Sequence, residues 1–326
     1  MGVFNYSMVE SMQKQKTALL FPGQGTQYVG MGKDFYVHFK EAQEVFHEAN
    51  EVLGFDIAAL CFQGKQEELN KTSLCQPAIL VTSMAILEVL KKNSPIQPSA
   101  CLATAGLSLG EYTAHVSAGS IAFTDAVRLV YKRGAFMQDA CNANHGGMVS
   151  IIGLEDEKVE QICTEIRTEG VICAANYNCP GQIVISGERS TLEKASALAK
   201  ERGAKIVVPL KVDGAFHSEL MSPASSKLSK ELESTPVLKS NIPVVANINA
   251  QYVSEPAEIK TSLSIQLNSP VRWHQSMCTL IQDGFNQFYE IGPGKSLSGL
   301  MRRIDPAQKM VNIDTVETFK NLMKSI

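Results

Sequence analysis

Residues 101–117 read C-L-A-T-A-G-L-S-L-G-E-Y-T-A-H-V-S, and the reading of this stretch decides the fold. Cys101 to Ala105 is short and small or apolar, as a buried strand is, and Glu111 to Ser117 has helical character. Between them Gly106-Leu107-Ser108-Leu109-Gly110 is a G-x-S-x-G pentapeptide. In a strand–turn–helix setting that pattern is a nucleophile elbow: the glycines permit a sharp turn, and the strained turn presents a serine hydroxyl at the end of a sheet. The amide of Leu109, next along the chain, then faces any oxyanion formed at Ser108.

Working outward, Thr17 to Phe21 reads as a first buried strand, closed by Pro22-Gly23-Gln24-Gly25. Neither G-x-G-x-x-G nor G-x-x-x-x-G-K is present there, so the turn is not a nucleotide cradle. It is a tight turn or a loop bringing Gln24 towards the elbow. Helical spacing runs from Asp34 to Leu53, and Gln76 to Leu90 is a strongly apolar helix. Thr124-Asp125 is expected to cap a helix over Ala126 to Ala140 that carries Arg128, Lys132 and Arg133. A small, polar loop follows at Asn142 to Gly147.

From Met148 the order changes. Strands at Met148–Leu154, Val171–Asn176, Gln182–Ser186 and Ala204–Val208 alternate with helices at Glu157–Glu169 and Thr191–Arg202 in a β-α-β-β-α-β series, the ferredoxin-like unit. Residues 144–212 are therefore expected to form an inserted small domain. Alternating strands and helices on both sides of it predict an α/β fold, a hydrolase-like large domain built on a parallel sheet from 17–143 and 213–326. A helix through Glu233, a strand near Val244-Val245, a helix at Thr261–Asn268 and a last strand at Phe288–Ile291 complete that domain.

Composition narrows the function classes. The chain has 326 residues, 44% hydrophobic and 19% charged, with a net charge of −3. No basic excess supports nucleic-acid binding, and no apolar run is read as a membrane span. The eight cysteines lack C-x-x-C or zinc-ligand spacing, so no metal is expected and a reducing compartment fits best.

A serine nucleophile needs a base. Of six histidines, His38 and His47 sit on an early amphipathic helix, and His115 lies two helical turns from Ser108, too far along the axis to reach it. His145 is in a polar loop and His274 opens a helix. His217 is favoured: it follows Gly214-Ala215-Phe216 where the chain returns from the insertion, in apolar surroundings that keep imidazole neutral. The group orienting His217 stays open between Asp213, a backbone carbonyl and an amide such as that of Gln266.

These motifs resemble the acyltransferase family of fatty-acid and polyketide synthesis, the malonyl-CoA:acyl-carrier-protein transacylases among them. The likeness runs from Leu20 to about Met301. It rests on F-P-G-Q-G-T-Q at 21–27, G-L-S-L-G-E-Y at 106–112, Arg133 in Y-K-R-G, G-A-F-H-S at 214–218, Q-L-N-S-P-V-R-W at 266–273 and Y-E-I-G-P-G-K at 289–295. The resemblance implies that Ser108 carries a malonyl group as an ester in a ping-pong exchange, with His217 as base and then acid. It implies oxyanion amides from Gln24 and Leu109, and an Arg133 fork on the malonyl carboxylate. Gln266 matches the family glutamine near the histidine, Phe216 favours malonyl over methylmalonyl, and Asn176 and Asn178 would meet the incoming carrier arm. Malonyl-CoA is a substrate, no cofactor is implied, and the partner is acyl carrier protein, for which Lys132, Arg302 and Arg303 are conceivable contacts. A monomer is expected, cytoplasmic or in an organelle matrix. Leu107 departs from the histidine common at that place, and Asp213 from a common serine; a carboxylate close to His217 would raise its pKa.

Overall fold

The structure, a computed structural model, describes residues 16–94, 102–212 and 214–325. Its strands are β1 (Lys16–Phe21), β2 (Ala103–Gly106), β3 (Gly146–Ile152), β4 (Ile172–Cys179), β5 (Gln182–Glu188), β6 (Ile206–Pro209), β7 (Val244–Val245), β8 (Tyr252–Val253), β9 (Phe285–Ile291) and β10 (Lys309–Ile313). They form two sheets, ordered β10-β9-β1-β2-β7-β8 and β4-β5-β3-β6.

In the larger sheet every pairing is parallel except that of β8 with β7. Its central strands are apolar because both faces are covered. Along β1, Leu19 and Phe21 join one core with the helices Lys40–Leu53 and Thr72–Asn93. Ala18 and Leu20, pointing the other way, join Ala103, Ala105, Trp273 and Phe288. The register Phe21↔Gly106 brings the ends of β1 and β2 side by side, so the loops that follow them meet.

The smaller sheet is antiparallel and carries the β-α-β-β-α-β order expected of this segment. One face (Val149, Ile151, Ile183, Ile185) packs on the helices Asp156–Ile166 and Arg189–Glu201. Period-2 alternation turns Met148 and Val184 the opposite way, into the core shared with the larger sheet. A cleft lies between that face and the elbow.

Several elements differ from the sequence reading. The expected helix from Asp34 to Leu53 is two, Lys33–His38 and Lys40–Leu53, broken at an extended Phe39. The Phe39 ring packs against Phe35 and against Phe319 of the last helix, so tertiary stacking overrides helical spacing. Thr124-Asp125 is not a cap: the helix begins at Phe123 after Ala122, and Asp125 pairs with Arg128 in its first turn. That helix runs to Ala143, through the first two residues of the expected loop. The apolar helix extends to 22 residues, Thr72–Asn93, long and apolar enough to cross a membrane, yet 83% of its most apolar window is buried within the protein. It is a core helix. Cys101 and Asp213 lie outside the described residues.

Candidate active site

Ser108 sits between the end of β2 and the helix Leu109–Ser117, with φ 52° and ψ −105°. Few non-glycine residues adopt this region, and such strain persists only where the surroundings enforce it. Here the glycines of the pentapeptide are a steric requirement. A Cβ on Gly106 would run into the backbone of Gly110, and one on Gly110 into the carbonyl of Phe21. The Ser108 amide donates to Asn247 Oδ1 at 2.7 Å, and Asn247 Nδ2 donates to the Gly106 carbonyl at 2.7 Å. Asn247 thus braces the turn from both ends.

The serine, 9% exposed, lies in a cavity of about 300 Å³ that Gln24, Leu107, Asn176, Phe216 and His217 also line. Its Oγ is 2.8 Å from His217 Nε2. His217 Nδ1 lies 3.0 Å from the Gln266 backbone carbonyl. A carbonyl only accepts, so Nδ1 carries the proton and Nε2 is free to receive the serine's. Of the three orienting groups left open by the sequence, the backbone carbonyl occupies this place. The other described histidines stay away from Ser108: His38, His47 and His145 are exposed, half-buried His274 lies near Asp156, and buried His115 bonds to Ser120.

Burial, and secondarily the Arg133 charge, hold His217 down at about 4, while its bond to Gln266 pulls the other way. The sign is that of a base kept neutral. A base works only unprotonated, so labelling of Ser108 by a neutral serine-directed phosphonate is expected to keep its rate as pH falls through 6.5. Loss should come only towards pH 4. Stopped-flow labelling between pH 4 and 8 measures this; half-loss near 6.5 would show an ordinary, solvated histidine.

Arg133, 1% exposed, is on the helix Phe123–Ala143. Nη2 donates to Ser108 Oγ at 3.2 Å and to Gln266 Oε1 at 3.0 Å, and Nη1 donates to Gln76 Oε1 at 2.6 Å. The guanidinium also lies 5.2 Å from the Tyr112 ring centroid. Burial lowers its pKa, but an arginine stays charged even when buried. A planar cation beside Ser108, held by neutral amides, has the donor geometry that a carboxylate accepts from.

Leu109 opens its helix, so its amide has no intrahelical partner and is directed, with the positive end of the helix dipole, at the serine's surroundings. The turn after β1 lies against the elbow so closely that a Cβ on Gly23 would strike the Leu107 carbonyl. Gln24 of that turn lines the cavity. Asn176 and Asn178 line it from β4, and Phe216 from the segment leading into His217. Of the other basic residues singled out, Lys132 pairs with Glu231 at 2.6 Å, Arg302 is exposed, and Arg303 is tied to the carbonyl of Pro180 and to the side chain of Gln182, which lines the cavity.

Three neighbours escaped the sequence reading. Gln76 and Asn247 are fully buried amides, and Glu111 is a fully buried carboxylate. Each carried a signal. Gln76 is a polar side chain opening an apolar helix, and Glu111 stands one turn after the serine. Asn247 closely follows β7, at the same sheet edge that delivers Gln24 and Ser108, where open parallel sheets place their ligands.

The acyl transferase domain profile matches residues 18–317, and the chain belongs to that family. A malonyl CoA-acyl carrier protein transacylase of Bacillus subtilis is 46% identical over 312 residues, 95% of this chain and 97% of the relative. An acyl carrier protein S-malonyltransferase from Vibrio cholerae superposes with TM-score 0.91 at 40% identity, covering 94% of this chain and all of the other. A malonyl-transacylase in complex with its type II PKS acyl-carrier protein superposes with TM-score 0.92 at 38% identity, over 96% of this chain and all of that one.

Proposed function

We propose that this acyltransferase moves the malonyl group of malonyl-CoA to the phosphopantetheine thiol of acyl carrier protein, through an ester on Ser108, in the service of fatty-acid synthesis. The observation that carries the reading is one oxygen, Ser108 Oγ, held at once by His217 Nε2 at 2.8 Å and Arg133 Nη2 at 3.2 Å. It joins a base to a carboxylate-binding cation.

In the first half-reaction His217 Nε2 takes the serine proton as Oγ attacks the thioester carbonyl. The amides of Leu109 and Gln24 hold the oxyanion, a donor pair of which each member is worth roughly 10²–10³ in rate. Collapse breaks the C–S bond, and the histidine proton passes to the departing CoA sulfur. In the second half-reaction the carrier thiol gives its proton to Nε2 and its sulfur attacks the ester. Ser108 leaves and recovers the proton. No proton or electron is left over, so neither metal nor cofactor is required. The malonyl carboxylate would take the guanidinium donors now given to Gln76 and to Ser108 Oγ, with the bond from Nη2 to Gln266 kept.

The same reading assigns 17–143 and 213–326 to a hydrolase-like large domain and 144–212 to a ferredoxin-like small one, with the ester shielded from water between them. Asn176 and Asn178 would meet the incoming pantetheine arm, and Phe216 would favour malonyl over methylmalonyl. Among the described residues no cysteine is joined to another in a disulfide, which fits a cytoplasmic enzyme, and a monomer suffices because all the proposed roles lie in one chain. Incubation with malonyl-CoA and holo acyl carrier protein, followed by mass spectrometry of the carrier, tests the proposal. One malonyl group should appear on the carrier with little free malonate. Release of malonate alone would make the protein a hydrolase.

A further inference from the structure

Gln266 touches all three members of the site. Its backbone carbonyl accepts from His217, its Oε1 accepts from Arg133, and its Nε2 donates to the Ser108 carbonyl at 3.0 Å and to Glu111 Oε2 at 2.6 Å. Both Nε2 protons and the amide oxygen are therefore committed. The orientation matters because the amide is nearly symmetric in shape but opposite in polarity at its two ends. Turned over, it would aim Oε1 at the Glu111 and Ser108 oxygens and its NH₂ at the guanidinium. Acceptor would face acceptor and donor would face donor.

Glu111 Oε2 also accepts from the Asn247 amide at 3.2 Å. Asn247 in turn clasps the Ser108 amide and the Gly106 carbonyl. One carboxylate oxygen thus joins the brace that holds the strained serine to the amide that holds the cation. Among the described residues Glu111 makes no direct ion pair with Arg133, so it acts across Gln266. We infer that Glu111 is a positioning residue, fixing the Gln266 amide so that Oε1 faces Arg133 and thereby aiming the guanidinium fork for a carboxylate-bearing acyl group.

Burial lifts the Glu111 carboxyl to about 7, against the pull of Gln266, Asn247 and Arg133. Both donors converge on Oε2, whereas Oε1 has no partner. A proton, when bound, sits on Oε1 and leaves Oε2 accepting, so the positioning role persists in either protonation state. It also tells the variants apart. Glutamine can offer its own oxygen where Oε2 lies; methionine, of similar length, offers no acceptor.

The inference rests on the malonyl-transfer reading, and the test separates the two. Acylation of Ser108 by malonyl-CoA and by acetyl-CoA is measured for wild type, Glu111→Met and Glu111→Gln, with active protein counted by serine-directed phosphonate. Glu111→Met is expected to raise the KM for malonyl-CoA about 10-fold and to lower the malonyl-to-acetyl ratio about 10-fold or more, since small misplacements of binding groups have effects of this size and larger. Glu111→Gln should recover both to within about 3-fold. A residue that merely fills the core would reduce the active fraction but leave KM and the ratio of the remaining enzyme unchanged, and that result overturns the inference. Should Glu111→Met not fold, Glu111→Asp, which withdraws the acceptor by one methylene, carries the same two outcomes. A wild type without malonyl preference would instead sink the underlying reading.

Discussion

Ser108→Ala is expected to form no malonyl ester and to lower kcat for transfer by on the order of 10⁴–10⁶-fold, the range seen when a covalent nucleophile is removed from an intact site. The change deletes one oxygen that makes two contacts, to His217 Nε2 and to Arg133 Nη2. It leaves the brace through the main-chain amide to Asn247 and the bond from Gln266 to the Ser108 carbonyl untouched, because both use backbone atoms. Fold and thermal stability should therefore remain near wild type, and malonyl-CoA should still bind. Steady-state transfer together with a melting curve checks this. A variant retaining a tenth of the wild-type rate would mean that acyl transfer does not pass through this serine.

Arg133→Met should lower kcat/KM for malonyl-CoA by roughly 10²–10⁴-fold, the effect of removing one partner from a desolvated charge pair. Acetyl-CoA, which has no carboxylate, should lose far less, so the preference between the two substrates should collapse or invert. Arg133→Lys should rescue little. Lysine supplies one charge centre, whereas the guanidinium now directs Nη1 to Gln76 and Nη2 to Gln266 and Ser108 in a planar fork. The substitution also leaves the buried amides of Gln76 and Gln266 with unmet acceptors, so a fall in stability is part of the expectation. The substrate ratio isolates the clamp from that fall. An unchanged malonyl-to-acetyl ratio in Arg133→Met would show that the carboxylate is held elsewhere.

The elbow was legible because local sterics write it into the chain: a small-residue strand, two glycines that cannot bear a Cβ, and a helix, all within a few residues. The β-α-β-β-α-β segment was legible for a similar reason, since alternation and helical periodicity are local properties. What joins Ser108 to Gln266 is separated by 158 residues, and no spacing rule reaches that far. Arg133 was visible through the family likeness, but its bonds to Gln76 and Gln266 arise from packing. So does the choice of a carbonyl rather than an acid behind His217. The edge strand β10 was missed because K-M-V-N-I is short and only half-buried. The break at Phe39 was missed because it depends on an aromatic ring 280 residues later in the chain, at Phe319. Glu111 and Asn247 looked like ordinary polar residues of a helix and a loop until the sheet brought their ends together.

The central claim is that one serine carries the acyl group between two thiols. Intact-protein mass after a brief incubation with malonyl-CoA tests it most directly. Wild type should gain a single malonyl group, lost again on adding holo acyl carrier protein, and Ser108→Ala should gain none. An adduct that persists in Ser108→Ala, or transfer to the carrier with no adduct at any time, would contradict the account.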